Sequence, residues 1–363
     1  MHTRLQVTPP LSFRSSPPPT PPPTGKKPSR AVTGIIEDIK TRQSGHSRFT
    51  DSWIRYPLNE GQYAELLQRV QSDELLWDYM NQKLRYDYIP SAERLVFRMP
   101  TQLHEWFIYS VVRDLQHQLR KLGAGDNTSA GFARAVDARG SPTLDFTKTG
   151  YGRHDPDAQF RHLRAQYPGV VIEVSYTQKR KELAHIAEDY ILGSDGDVRV
   201  VVGLDVEYRN SKKATLSVWR PDVVQNEAGE PELVAVQTIV DQILRDEEGN
   251  MSKNENAGLS LQLRDFATEA LVGTDGLLTD PINIPASTLY LYLEQAEQNV
   301  AMLKQNQGAV RETKPWVRKR QRQRTPPEEL DNNREAKFQK IEEIAVAQAE
   351  RDDSSYKTDS DGE

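Results

Sequence analysis

The sequence predicts one α/β domain between about residues 51 and 305 of 363, flanked by two disordered tails. Three observations lead there. The apolar residues switch between helical spacing and strand alternation in the order helix, several strands, helix, strands. Residues 1–50 and 306–363 are nearly free of apolar clusters and rich in proline or charge. A run of about eighteen apolar residues, the length a membrane helix needs, occurs nowhere, so no membrane partner is expected.

Composition narrows the class. The absence of cysteine excludes disulfides and thiolate zinc sites and points to a reducing compartment. With no signal-peptide core at the N-terminus, an intracellular protein, nuclear or cytoplasmic, is expected. The net charge of −6 is unevenly spread. Pro17-Pro18-Pro19-Thr20-Pro21-Pro22-Pro23 favours polyproline II, and Lys26, Lys27 and Arg30 make that tail basic. In the other tail Arg318, Lys319, Arg320, Arg322 and Arg324 suit nuclear import or a phosphate backbone, which makes nucleic acid the expected partner; a solvated charge run is the plainer alternative. Residues 328–350 read as a charged helix whose Phe338, Ile341, Ile344 and Ala345 would meet a protein partner, as would the proline-rich tail.

Within the domain, Tyr63, Leu66, Leu67, Val70, Leu75, Leu76 and Tyr79 recur at helical spacing with a break at Ser72-Asp73, which predicts a helical preface of two helices. Residues 100–123 form the first core helix, with Leu103, Phe107, Ile108, Val111, Val112, Leu115, Leu119 and Leu122 on one face and Gly123 as its stop. Strand alternation follows over 131–138, 143–147, 157–163 and 167–176. Residues 178–192 return to helical spacing, and 198–206 and 214–219 are two more strands. Val200-Val201-Val202 is apolar on both faces, as in a central strand covered on each side. Residues 233–243 fit helix and strand equally; Leu259, Leu261 and Leu263 alternate as a strand does, and 287–303 is a terminal amphipathic helix.

Chemistry concentrates at His154-Asp155-Pro156-Asp157 and at Val170-Val171-Ile172-Glu173-Val174-Ser175. On adjacent strands of a hairpin, Asp157 near one start and Glu173 near the other end lie side by side, and alternation puts Glu173 and Ser175 on one face. Paired carboxylates suit a hard divalent cation, magnesium or manganese, which polarises phosphoryl oxygens and activates water. The plain alternatives are a turn aspartate after proline and an acidic residue near a strand end. An acidic residue within 170–174 is nevertheless costly to bury without a partner.

Pro156-Asp157 and Glu173-Val174-Ser175, set between two helices, resemble the motif of the restriction-endonuclease-like PD-(D/E)XK nuclease superfamily, most closely its Uma-type branch and fungal relatives. The resemblance covers residues 100–221. It implies a core of helix, strand meander, helix and strands, with Asp157 and Glu173 as magnesium ligands in phosphodiester cleavage. The motif's lysine position holds Ser175; some members carry that lysine on the following helix, where Lys179, Arg180 and Lys181 stand. Lys179 shares a helical face with Leu183, Ile186 and Tyr190, which should lie on the sheet, so it is the better candidate to orient water or phosphate. Weaker candidates are Glu105, as a third metal ligand or a solvated helix carboxylate, and Gln178, as a phosphate contact or a cap. Lys181 is a nucleic-acid contact of the same kind, and Asp145 a substitute for Asp157. Two further readings stay open, a nuclease-fold protein that binds nucleic acid or protein without cleaving, and a purely structural interaction protein.

Other chemistries find no support. The seven histidines lack ligand spacing, and no phosphate-binding glycine loop or nucleophile elbow occurs.

Overall fold

A computed structural model describes residues 28–46, 53–176, 180–207, 211–272, 278–305, 307–309, 318 and 340. The chain divides into two units, 1–307 and 308–363, and the elements named here belong to the first. It is a mixed α/β fold, and among the described residues no helix is long and apolar enough to cross a membrane.

The N-terminal part runs α1 (Arg30–Gln43), β1 (Trp53–Pro57), α2 (Glu60–Gln71), α3 (Glu74–Lys83), β2 (Arg85–Ile89) and β3 (Arg94–Arg98). Asn59 and Asp73 cap α2 and α3 through their side chains, so the break expected at Ser72-Asp73 is a true helix start. The disorder expected over residues 1–50 does not hold for 30–43, which form α1. Val32, Ile35, Ile36 and Ile39, at the i, i+3, i+4, i+7 spacing of a helix face, bury α1 against Leu58, Tyr63, Leu66, Val70 and Phe97. Only four apolar residues carry this stripe, and the proline and basic residues before it mask it in any wide window.

The centre runs α4 (Gln102–Gly123), α5 (Thr128–Arg134), β4 (Val136–Ala138), β5 (Leu144–Phe146), β6 (Gly152–His154), β7 (Ala158–His162), β8 (Val170–Tyr176), α6 (Arg180–Gly193), β9 (Val200–Val206), β10 (Ala214–Gln225) and β11 (Pro231–Arg245). The strand expected over 131–138 exists only from Val136. Asn127 accepts a hydrogen bond from the Ala130 amide and starts a helix that runs to Arg134, a local cap overriding the alternation. The ambiguous 233–243 is strand. It pairs antiparallel with β10 along nearly its whole length, and backbone pairing decides what periodicity could not. The chain closes with β12 (Gly258–Gln262), α7 (Glu269–Val272), β13 (Pro281–Pro285) and α8 (Ala286–Lys304).

Two sheets matter for the site. The six-stranded sheet has the order β11-β10-β9-β8-β7-β4, with β8 parallel to β9 and its other neighbours antiparallel. Val170, Ile172, Val174, Val200, Val202 and Leu204 point from it into a core shared with α4 and α8, while Val171 and Val201 pack with Leu183, Ile186 and Tyr190 of α6. β9 is therefore covered on both faces, as its sequence predicts. The five-stranded sheet has the order β1-β3-β2-β6-β5. Alternation in its first strands turns Tyr86, Tyr88, Leu95 and Phe97 toward the N-terminal helices, which leaves Arg85, Asp87, Arg94, Val96 and Arg98 for the opposite face. Strands β1 to β3 flank the expected helical preface and were not expected from the sequence, because their charged positions imitate a solvent-facing edge.

Candidate functional site

The hairpin of β7 and β8 pairs Ala158 with Ile172, which places Asp157 next to Glu173. Both side chains are buried, Glu173 completely. Between them lies the guanidinium of Arg98. Its Nη1 is 3.3 Å from Asp157 Oδ1 and 3.1 Å from Glu173 Oε2, and its Nε is 2.9 Å from Asp87 Oδ2. Three carboxylates thus converge on one cation supplied by β3. Burial alone would lower the pKa of Arg98, and the charges of Asp87, Glu173 and Asp157 more than reverse this, so the group stays charged.

The remaining oxygens of the pair also meet protein donors. Tyr190 of α6 donates its hydroxyl to Glu173 Oε1 at 2.7 Å; burial and the Glu173 charge push the phenol's pKa well up, so it remains a donor. Asp157 Oδ2 accepts the Val174 amide at 2.7 Å and lies 3.1 Å from His104 Nε2 of α4. Each of the four carboxylate oxygens therefore faces a donor. As arranged, this donor set does not fit magnesium or manganese, because a divalent ion needs the oxygens that Arg98 and Tyr190 occupy. Among the described residues no group of three or more histidine, aspartate or glutamate side chains is arranged to hold a metal ion.

Ser175, which stands where the expected motif would carry its lysine, is fully buried and donates to Asp205 Oδ1 of β9 at 2.6 Å. The register of β8 against β9 sets Ser175 beside Asp205 and Glu173 beside Gly203. Gly203 has to be small, since a Cβ there would meet Leu183 Cδ2 at 2.5 Å.

Asp87 extends the network. Its Oδ1 accepts the Asp155 amide at 3.1 Å and lies 3.6 Å from His154 Nδ1, whose other ring nitrogen is 3.0 Å from Asp189 Oδ2 of α6. Burial alone would lower the pKa of His154; the bonds to Asp189 and Asp87 reverse this and raise it to about 9, so the ring is an imidazolium at neutral pH. Two buried cations, Arg98 and His154, are thereby interleaved with Asp87, Asp157, Glu173 and Asp189. Buried charges persist only in such a paired arrangement.

Glu105 stands at the rim rather than in the cluster. It is exposed, 3.6 Å from Arg85 Nη1, and its contact with His104 followed by the charge of Arg85 holds its pKa below the ordinary value. Arg85 reaches inward to 3.9 Å from Asp157 Oδ1. Asp145 lies apart, accepting from the Thr147 amide and hydroxyl in a local turn. Glu182 ties α6 to the five-stranded sheet through Arg94 and, at 3.3 Å, through Arg55. Gln178 and Lys179 lie outside the described residues, as do Lys319, Arg320, Arg322 and Arg324; Lys181 belongs to α6 by its backbone, and Arg318 is exposed.

Sequence reasoning found Asp157, Glu173 and Ser175 but missed Asp87, Arg98, His104, Asp189 and Tyr190, and it passed over His154 as one scattered histidine. A signal existed. Arg85-Tyr86-Asp87-Tyr88-Ile89 and Arg94-Leu95-Val96-Phe97-Arg98 alternate with period two, and their apolar faces required a charged face somewhere. Nothing in the period says that this face is covered. In comparisons with known proteins, no family model, no curated protein and no solved structure matches the chain.

Proposed function

We propose that this is a nuclease-fold domain that binds nucleic acid without metal-dependent cleavage. The observation that carries the reading is the Arg98 guanidinium bridging Asp157 and Glu173 where a magnesium-dependent nuclease would need its cation. Ser175 supports it, because at the motif's lysine position it anchors Asp205 instead of carrying a charge. The order of elements supports the fold half of the reading. α4 precedes the meander of β4, β7 and β8, and α6 leads to β9, parallel to the meander's last strand. The nucleic-acid half draws on the basic run 318–324 and on Arg55, Arg85 and Arg94, which are partly exposed on strands β1, β2 and β3 of the five-stranded sheet.

The test is a binding and cleavage assay of the full chain on single- and double-stranded DNA and RNA with magnesium or manganese. Binding that weakens steeply with salt is expected, with no cleavage that Asp157→Asn or Glu173→Gln removes. Cleavage abolished by Asp157→Asn would overturn the reading.

A second reading, magnesium-dependent hydrolysis with Lys179 orienting water or phosphate, is favoured by one observation. The two carboxylates do converge on a single point. It requires Arg98 to leave that point.

A further inference from the structure

We infer that the outward face of α4 is a stacking platform for single-stranded nucleic acid, formed by Trp106, Tyr109 and Arg113. The inference rests on the nucleic-acid reading proposed above and gives it a surface and a substrate class. α4 buries Phe107, Ile108, Val111, Leu115 and Leu119 in the core. Its opposite side carries Trp106, 42% exposed, and Tyr109, 58% exposed, at i and i+3, with Arg113 four residues on. The Arg113 guanidinium lies over the Tyr109 ring, 5.8 Å from its centroid, which presents the ring and the charge as one unit. His117, Arg120 and Lys121 continue the exposed side toward the helix end. From Trp106 to Arg120 the row extends about 20 Å at 1.5 Å per residue.

Charge and chemistry together select the occupant. Two large aromatic rings on an exposed helix face would serve a protein partner equally well if their surroundings were neutral. Here the exposed charged side chains of α4 beyond Tyr109 are basic, Asp114 is tied to Gln118 and Tyr292, and the exposed carboxylate next to the rings, Glu105, is engaged by Arg85 and His104. Aromatic faces beside cations fit a strand whose bases are free to stack and whose phosphates follow the arginines. A duplex keeps its bases stacked on each other, so the rings gain nothing from it.

The measurement is fluorescence anisotropy of a labelled oligothymidine and of a matched DNA duplex with the full chain, compared with the double variant W106A/Y109A and with R113Q. These side chains are exposed, and thermal melting confirms that the variants fold. The double variant is expected to lose tenfold or more of its single-strand affinity, a change of about 1.4 kcal/mol or more. R113Q should flatten the salt dependence. Duplex affinity should barely change. If the wild type binds the oligonucleotide and the double variant binds it equally well, the platform is overturned and the nucleic-acid reading stands. Absence of any wild-type binding overturns both. Sedimentation covers the other occupant: self-association that W106A/Y109A abolishes, with unchanged oligonucleotide affinity, assigns the face to a second copy and overturns the proposal.

Discussion

Arg98 and Asp87 lie on neighbouring antiparallel strands but are not opposite each other, for Arg98 pairs in register with Arg85 and reaches diagonally to Asp87, Nε to Oδ2 at 2.9 Å. That diagonal sets the direction of the guanidinium. With Nε engaged by Asp87, the Nη1 edge is carried to Glu173 of β8 and to Asp157, just before β7.

Truncating Arg98 therefore leaves three buried carboxylates without their shared cation. Arg98→Ala should lower stability by about 3–5 kcal/mol, the usual cost of removing one partner of a buried ionic cluster. Arg98→Lys should recover only part of it, because a single ammonium cannot replace the two-edged fork. Urea denaturation of both variants checks this, and equal stability of the wild type and Arg98→Ala would show that the cluster is not ionised as described.

The imidazolium of His154 links stability to pH. Its folded pKa of about 9 lies above the ordinary 6.5, so its contribution is complete below about pH 6.5 and is lost as pH rises through 9. The full shift corresponds to roughly 3 kcal/mol. Urea midpoints of the wild type should fall between pH 6.5 and 9, and His154→Gln should be less stable at pH 6 and lose most of that slope. A wild-type midpoint that is flat or rises across this window contradicts the assignment.

α1 gives two predictions of opposite sign. Ile39 is fully buried, so Ile39→Ala should cost about 2–5 kcal/mol. Gly34 is exposed within the same helix with nothing near the position of a Cβ, so Gly34→Ala should stabilise by about 0.5–1 kcal/mol. Truncation before Ser52 should lower the melting temperature markedly, and an unchanged melting curve would return α1 to the tail.

Gly169 controls the hairpin that aligns the acidic pair. Its amide donates to the Phe160 carbonyl at 3.0 Å, and its own carbonyl accepts from the amides of Arg199 and Val200. A Cβ there would lie 2.2 Å from the carbonyl carbon of Phe266 and 2.4 Å from the Ala267 nitrogen, both backbone atoms that no rotamer change can move aside. Gly169→Ala should destabilise by more than about 1–3 kcal/mol, the range for overpacking that side chains can absorb, and thermal melting reads it directly.

What the sequence disclosed follows from how local each signal is. β9, α4 and α8 were legible because their apolar period runs through the whole element. Asp157 and Glu173 were legible because a short hairpin joins them. Arg98 was not, because its role depends on one sheet covering another, across 75 positions from Glu173, and no local period encodes that. α5 was misread for the opposite reason, since one side-chain cap at Asn127 outweighed the pattern around it.

The position of Arg98 on β3, ahead of α4, has a consequence for how the chain is made. During synthesis from the N-terminus the arginine leaves the ribosome well before Asp157 and Glu173, so for that interval it is a solvated cation with an acidic companion, Asp87, on a hairpin of its own. The two later carboxylates enter a place where their counter-charge already waits. A fragment cut at Pro100 would contain the complete acidic motif and lack this escort, and the same residues that mark the site would then be the ones opposing its closure.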